Sequence, residues 1–380
     1  MTQLCPELTE HRPHAESTAP DPVEEDLRSV ERELSSFLAA RERDAARYGE
    51  EYARLWQAVA ESSRGGKRLR PRLVLSAFHG LAGAAEPAAA EPAAAERAAA
   101  VQTALAFELL HSAFLLHDDV IDGDTVRRGR PNVAGEFSAD ALFRGAGFPR
   151  ARLWGESAAI LAGDLLLHAA AQRVARLGVE EATRSRLLDL IDRSVFVTAA
   201  GELADVGLAT GMSAGALPDV LAMTAHKTAE YSVSGPLAAG ALLAGADDGV
   251  VELLGHYGRL VGVAFQLGDD LLGVYGDATV TGKTVVGDLQ QGKETTLIAF
   301  ARGTAQWPEL EPLFGRADLG PDDTAELAAG LERCGARDFA ERLLADQVAA
   351  AVAVLDTPLL PSALAATLTG VAHGCVGRTA

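Results

Sequence analysis

Two short acidic runs hold the residues best suited to chemistry in this chain. The first is Asp118-Asp119-Val120-Ile121-Asp122, followed by Asp124 and then Arg127-Arg128. Asp118 and Asp122 are four apart, so on a helix both carboxylates face the same volume. Carboxylates crowded this way repel one another unless a cation sits among them. Hard oxygen ligands of this kind suit Mg²⁺, which keeps several waters and bridges to phosphate oxygens. The second run, Phe265-Gln266-Leu267-Gly268-Asp269-Asp270, closes an apolar segment that begins at Leu260. An apolar helix that turns polar only at one end predicts an end that opens into a cavity, and two such ends facing each other predict a metal cage. A solvated acidic helix end is the plainer reading of either run taken alone.

Cations stand where phosphates would need them. Arg64-Gly65-Gly66-Lys67-Arg68-Leu69-Arg70-Pro71 gathers a glycine pair and a basic cluster within a turn and a half. Lys+Arg 34 against Asp+Glu 53 leaves a formal net charge of −19. A local basic cluster is out of character in such a chain and suits a bound phosphate group. The overall field repels nucleic acid and anionic membrane surfaces, and no basic, aromatic-studded surface continues from the cluster, so nucleic acid is excluded as a partner. Lys227 beside Thr228, Lys283 after Thr281-Gly282, and Lys293 after Gln291-Gly292 could serve a second phosphate group. His111 lies seven residues before Asp118, hence about 20° from it around a helix and about 10 Å below it. It reads either as a satisfied core histidine or as part of the same site.

The elements that must position these groups read as helices. From Val23 onward the chain is a series of Ala- and Leu-rich, helix-length segments punctuated by Gly and Pro, with no alternating strand pattern, so the expected fold is all-α and a single domain over 23–380. Residues 1–22, with Pro6, Pro13, Pro20 and Pro22 among polar residues, read as a disordered leader. The tandem Glu-Pro-Ala-Ala-Ala repeat near 83–97 and the Gly- and Pro-bearing stretch 131–150 read as loop expansions. Cys5, Cys334 and Cys375 are odd in number and widely spaced, which fits a reducing compartment and offers no zinc spacing. The start lacks a signal pattern, and the longest uncharged apolar stretch, Val233 to Ala246, is too short to span a bilayer. The expectation is a cytoplasmic protein without stable membrane insertion.

Together these pieces resemble the trans isoprenyl diphosphate synthases, the polyprenyl synthetase family, and most closely geranylgeranyl diphosphate synthases of the actinobacterial type. The likeness runs from about residue 30 to 300. It rests on Gly65 to Pro71, His111 to Arg128, Gly155 to Leu166 (GESAAILAGDLL), Lys227 to Pro236 (KTAEYSVSGP) and Phe265 to Lys293, in family order. The resemblance implies a bundle of roughly a dozen helices around a central cavity, usually homodimeric. It implies Mg²⁺ as cofactor, three ions with substrate bound, held by Asp118, Asp122 and Asp269, with Asp119, Asp205 and Asp270 as supporting carboxylates. It further implies that Gly66, Lys67, Arg70, His111 and Arg128 hold isopentenyl diphosphate. Arg127, Lys227, Thr228, Gln266, Lys283 and Lys293 would surround an allylic diphosphate. Three departures bear on the metal geometry: Gly273 where many relatives carry a third Asp, with Asp277 as its possible replacement; Glu202 where Gln is frequent; and Asn132 in a Thr-like position.

The implied activity is head-to-tail condensation of isopentenyl diphosphate with an allylic diphosphate. A class I terpene cyclase would share the fold and the first acidic run. It has no use for a second diphosphate site such as Gly65 to Arg70, and Asn132 is the only asparagine available for its metal triad. A non-catalytic subunit would have no physical reason to keep both acidic runs and both basic sites. Product length is expected to be set by Phe114, one turn before Asp118, with Ala113 beside it and Leu110 a further turn down. The C20 product is favoured, with farnesyl or longer chains as alternatives.

Overall fold

The Ala- and Leu-rich segments become helices because their apolar residues recur every three to four positions and bury against one another. The computed structural model describes residues 21–82, 94–213, 215–276, 287–316 and 318–376, and among them the architecture is all-α. The helices that matter for the site are α1 (Pro22–Ala45), α2 (Glu50–Ser62), α3 (Leu69–Ala82), α4 (Ala94–Ile121), α5 (Val133–Phe143), α6 (Phe148–Ala175), α7 (Glu181–Ala209), α8 (Leu217–Thr224), α9 (Gly235–Leu243) and α10 (Asp248–Tyr275). Between α8 and α9 the chain widens into a π-helical segment, Ala225–Ser234. A two-stranded antiparallel hairpin pairs Val126 with Pro131 and Arg127 with Arg130. Helices Pro321–Arg333, Ala336–Val354 and Ser362–Val376 wrap around α10 to finish the bundle.

The central element is α4. By length and hydropathy alone it could cross a membrane, which the longest uncharged stretch of the sequence did not suggest, because charged residues interrupt α4 only sparsely. Yet 72% of its most apolar 18-residue window is buried. The bundle, not lipid, satisfies that surface: Leu105, Phe107, Leu109, Leu110 and Ala113 are all fully covered by the core.

Three expected boundaries shift. The helix begins at Pro22 and not after it, because Asp21 caps the turn by accepting from the Val23 amide at 2.9 Å and proline at the first helical position costs no hydrogen bond. Residues 1–20 lie outside the described residues. The expected loop near 83–97 ends earlier, since α4 already starts at Ala94 and Arg97 pairs with Asp26 at 2.8 Å; 83–93 lie outside the described residues. The stretch 131–150 is not a loop expansion but mostly α5. Asn132 caps it by accepting from the Gly135 amide at 2.8 Å, while its own amide donates to the Asp124 carbonyl at 2.8 Å. Gly135 is there because a Cβ would stand 2.0 Å from the Thr125 carbonyl oxygen, so this glycine marks a close approach and not a flexible segment. Asn132 is thereby buried in a capping role, apart from any metal triad.

Candidate active site

The C-terminal half of α4, α6, α7, the π-helical segment and α10 surround one cavity of about 2110 Å³. Its mouth is charged and its interior apolar, with Phe114, Leu167, Val195, Ala199 and Val261 among the lining residues.

Asp118 and Asp122 face the cavity from α4, as their spacing predicted, and a ligand atom from each lies within 4.8 Å of the other and of a third, from Glu202 on α7. Gly201 makes this meeting possible: a Cβ there would sit 2.3 Å from the Lys227 backbone nitrogen, so only glycine lets the π-helical segment press against α7. The approach delivers the Lys227 ammonium between Asp205 at 2.6 Å, Glu202 at 3.0 Å and Asp118 at 3.3 Å. Burial disfavours the charged ammonium, but the carboxylates of Asp118, Asp205 and Glu202 outweigh it and hold Lys227 protonated well beyond its ordinary range. For Asp118, burial works against ionisation, and Lys227, Arg127 and Lys293 together overcome it, leaving its pKa below the usual value. Asp122 and Glu202 go the other way: burial raises both, and the Asp118 charge adds to it. This is a set of hard oxygen donors whose mutual repulsion is relieved only by cations, the donor chemistry that fits Mg²⁺.

Asp119 differs from its neighbours. It turns away from the cavity, is buried, and accepts from Arg127 Nε at 2.7 Å. Burial pushes its pKa up to about 6 despite that contact. Asp119, about 100° around the helix from Asp118, lies outside the cavity lining and ties α4 to the hairpin carrying Arg127 and Arg128. Arg127 also reaches Asp118 at 3.3 Å.

From α10, Asp269 and Asp270 reach the cavity. Thr228 donates to Gln266 Oε1 at 3.0 Å, and Gln266 Nε2 donates to Asp270 at 2.9 Å, a relay that joins the π-helical segment to the second acidic run. Lys293 closes the ring by donating to Asp122 at 2.7 Å. Lys283 and Asp277 lie outside the described residues.

A second cationic pocket opens on the same cavity. Gly65 and Gly66 adopt φ of 75° and 95°, and a Cβ on Gly66 would meet the Arg128 guanidinium at 3.6 Å. The glycine turn thus sets the Lys67 segment directly against Arg128. Arg70 donates to Ser232 Oγ at 2.7 Å and lies over the Tyr231 ring at 4.9 Å. His111 stacks on the same ring, 6.0 Å between centroids. Burial, together with Arg70, Arg127, Arg128 and Arg68, drives the His111 pKa well below its ordinary value. The imidazole is therefore neutral at neutral pH, and its Nδ1 has no hydrogen-bond partner in the structure.

Sequence reasoning missed Tyr231, which touches Arg70, His111 and Phe114 (4.8 Å, edge to face). Its place four residues after Lys227 was the available signal. It also expected Leu110 and Ala113 at the cavity wall. Both are fully buried in the core behind that wall, and of the three only Phe114 lines the cavity. The reason is that α4 is covered on every side, so its core stripe and its cavity stripe lie next to each other.

The chain is similar to known proteins over most of its length. Residues 53–329 match the polyprenyl synthetase family model. A geranylgeranyl diphosphate synthase of Mycobacterium tuberculosis is 35% identical over 254 residues, covering 66% of this chain and 67% of that protein. A (2E,6E)-farnesyl diphosphate synthase of Mycobacterium bovis is 32% identical over 323 residues, covering 83% of this chain and 80% of that protein. Among solved structures, geranylgeranyl pyrophosphate synthase from Corynebacterium glutamicum, complexed with isoprenyl diphosphate and magnesium, superposes with a TM-score of 0.83 at 29% identity, covering 94% of this chain and 99% of that one.

Proposed function

The chain belongs to the polyprenyl synthetase family and is a trans-prenyltransferase, and on that premise we propose that it joins isopentenyl diphosphate to an allylic diphosphate, head to tail, with geranylgeranyl diphosphate as the product. One observation carries the reading. Two separate cationic pockets, Lys67/Arg70/Arg128 and Lys227/Arg127/Lys293, open onto a single cavity whose interior is apolar. A cyclase, which binds one diphosphate, has no need of the first pocket.

Cleavage of the allylic carbon–oxygen bond builds negative charge on the departing diphosphate. Lys227, Arg127 and Lys293 are already aimed at that end of the cavity, so they stabilise charge as it develops without having to reorganise. Bound among Asp118, Asp122 and Asp269, with Glu202 in reach, Mg²⁺ would add Lewis-acid stabilisation of the same group, with three ions when substrate is present. Lys67, Arg70 and Arg128, with neutral His111 beside them, hold the isopentenyl diphosphate so that its double bond faces the allylic carbon. Attack then proceeds as an effectively unimolecular step. The Thr228–Gln266–Asp270 relay fixes the side chains that border the reacting carbons, and the proton released afterwards leaves with the diphosphate. No protein nucleophile takes part.

Below the reacting centre the tail lies among Leu167, Val195 and Ala199 and stops at Phe114, a reading that favours a C20 product, with farnesyl and longer products as the alternatives. Exposed apolar side chains on α6 and α7, including Phe148, Leu153, Leu161, Phe196 and Leu203, form a face suited to a second copy of the chain and support a homodimer. Cys334 and Cys375 form no disulfide, which fits a cytoplasmic setting. The decisive experiment incubates the protein with isopentenyl diphosphate, Mg²⁺ and each allylic primer in turn, then separates the dephosphorylated products by chain length. C20 as the end product from every accepted primer is the expected result, and no condensation with any primer overturns the proposal.

A further inference from the structure

Arg68 lies between Lys67 and Arg70, yet its charge is spent elsewhere. Its side chain is only 11% exposed and is shared between Glu108 on α4, where Nη1 donates to Oε1 at 2.5 Å, Glu31 on α1, and the Ser63 carbonyl at the end of α2, 2.9 Å from Nη2. Glu108 is itself buried, 6% exposed, and stands one turn before His111 on the same helix. Arg68 also holds φ of 47°, a left-handed backbone that a non-glycine residue adopts only when its surroundings enforce it. The next turn is tied to α1 as well, through Arg72 and Glu24 at 2.6 Å.

We propose that Arg68 and Glu108 are positioning residues for the isopentenyl diphosphate pocket: the buried fork of Arg68 clamps the Gly65–Arg70 turn onto α1, α2 and α4, and so fixes where Lys67 and Arg70 converge. The inference rests on the assignment of that pocket made above. Two features argue for it. Three left-handed residues, Gly65, Gly66 and Arg68, fall within four positions, and a turn built that way relaxes unless something pins it. The pin is a buried carboxylate placed within a cluster of cations that must attract an anion. A carboxylate there weakens the attraction of the pocket for diphosphate by simple charge, so its presence calls for a compensating role, and its bond to Arg68 supplies one.

Charge and positioning predict opposite signs for the same isosteric change. If Glu108 acted only through its charge, Glu108→Gln would lower the Michaelis constant for isopentenyl diphosphate. If it acts through Arg68, the constant rises, by about tenfold, while that for the allylic partner and kcat stay within about twofold. Amide exchange over residues 64–69 should quicken in the same variant. Glu31→Gln, at the more exposed end of the clamp, should raise the same constant by a smaller factor, and it serves as the test if Glu108→Gln does not fold. An unchanged or lowered constant for isopentenyl diphosphate in whichever of these variants is folded overturns the clamp. Lys67→Ala is the control for the pocket itself. If that variant binds isopentenyl diphosphate as the parent does, the pocket assignment fails and the clamp fails with it.

Discussion

Replacing Phe114 with alanine should lengthen the product while leaving the diphosphate chemistry intact. The ring lines the cavity one helical turn, roughly 5 Å, below Asp118. It is half-buried and braced edge to face against Tyr231 at 4.8 Å. Truncation forfeits on the order of 100 Å² of buried apolar surface, about 2.5 kcal/mol at 25 cal/mol per Å², and an aromatic pair worth about 1 kcal/mol. No closed void is created, because the space joins a cavity that already exists, so the additional penalty for a trapped cavity does not apply. A loss of about 3 to 4 kcal/mol leaves a protein of ordinary stability folded at 25 °C. Leu110→Ala provides the contrast. Leu110 is fully buried in the core and does not reach the cavity, so its truncation should cost a comparable 2–5 kcal/mol and leave the products as they were. Phe114→Ala should shift the principal product by at least one isoprene unit, and Leu110→Ala should add a further shift only in the double variant. The assay is chromatography of dephosphorylated products beside thermal melts of all three variants. An unchanged product distribution in folded Phe114→Ala, or a shift in Leu110→Ala alone, would refute the placement of the cavity floor at Phe114.

Excess EDTA should abolish turnover, and Asp118→Ala or Asp269→Ala should lower kcat by orders of magnitude with the melt little changed; parent-like turnover in either case contradicts the metal assignment. Lys227→Ala removes the cation that Asp118, Glu202 and Asp205 share, and should raise the Michaelis constant for the allylic substrate at least tenfold while that for isopentenyl diphosphate moves less than about twofold. Equal effects on both constants would argue against two distinct pockets. His111, whose pKa in the fold is depressed, leaves the unfolded chain binding a proton that the folded chain refuses once the pH drops below about 6.5. The stability this group contributes is present above that pH and is lost on acidification, so His111→Gln should show a shallower fall in stability between pH 7 and 5.5 in urea titrations. A parallel fall in parent and variant would show that the imidazole charges freely in the fold.

Identity and local spacing were enough to determine much of this protein. Helical periodicity gave the all-α architecture, because burying an apolar stripe every three to four residues has no other economical solution. The four-residue step from Asp118 to Asp122 set two carboxylates on one face whatever packed against α4. The density of cations at Arg64 to Arg70 in an acidic chain marked an anion pocket, since charge composition needs no tertiary information. What the sequence could not contain was which faces of different helices meet. Glu202 joins the acidic cage only because Gly201 admits the π-helical segment, a contact between residues more than twenty positions apart. Asp119 and Asp118 are neighbours in the chain, yet one faces the cavity and the other the hairpin, a choice made by where Arg127 returns. Arg68 reads as one more cation in a basic run until Glu31 and Glu108 converge on it from two other helices. The stretch 131–150 has a loop's composition and becomes helix because the Thr125 carbonyl and the Asn132 cap meet α5 at its first turn. Leu110 and Phe114 share a helix face by spacing, and only the packing of the core around α4 buries one and leaves the other in contact with the cavity.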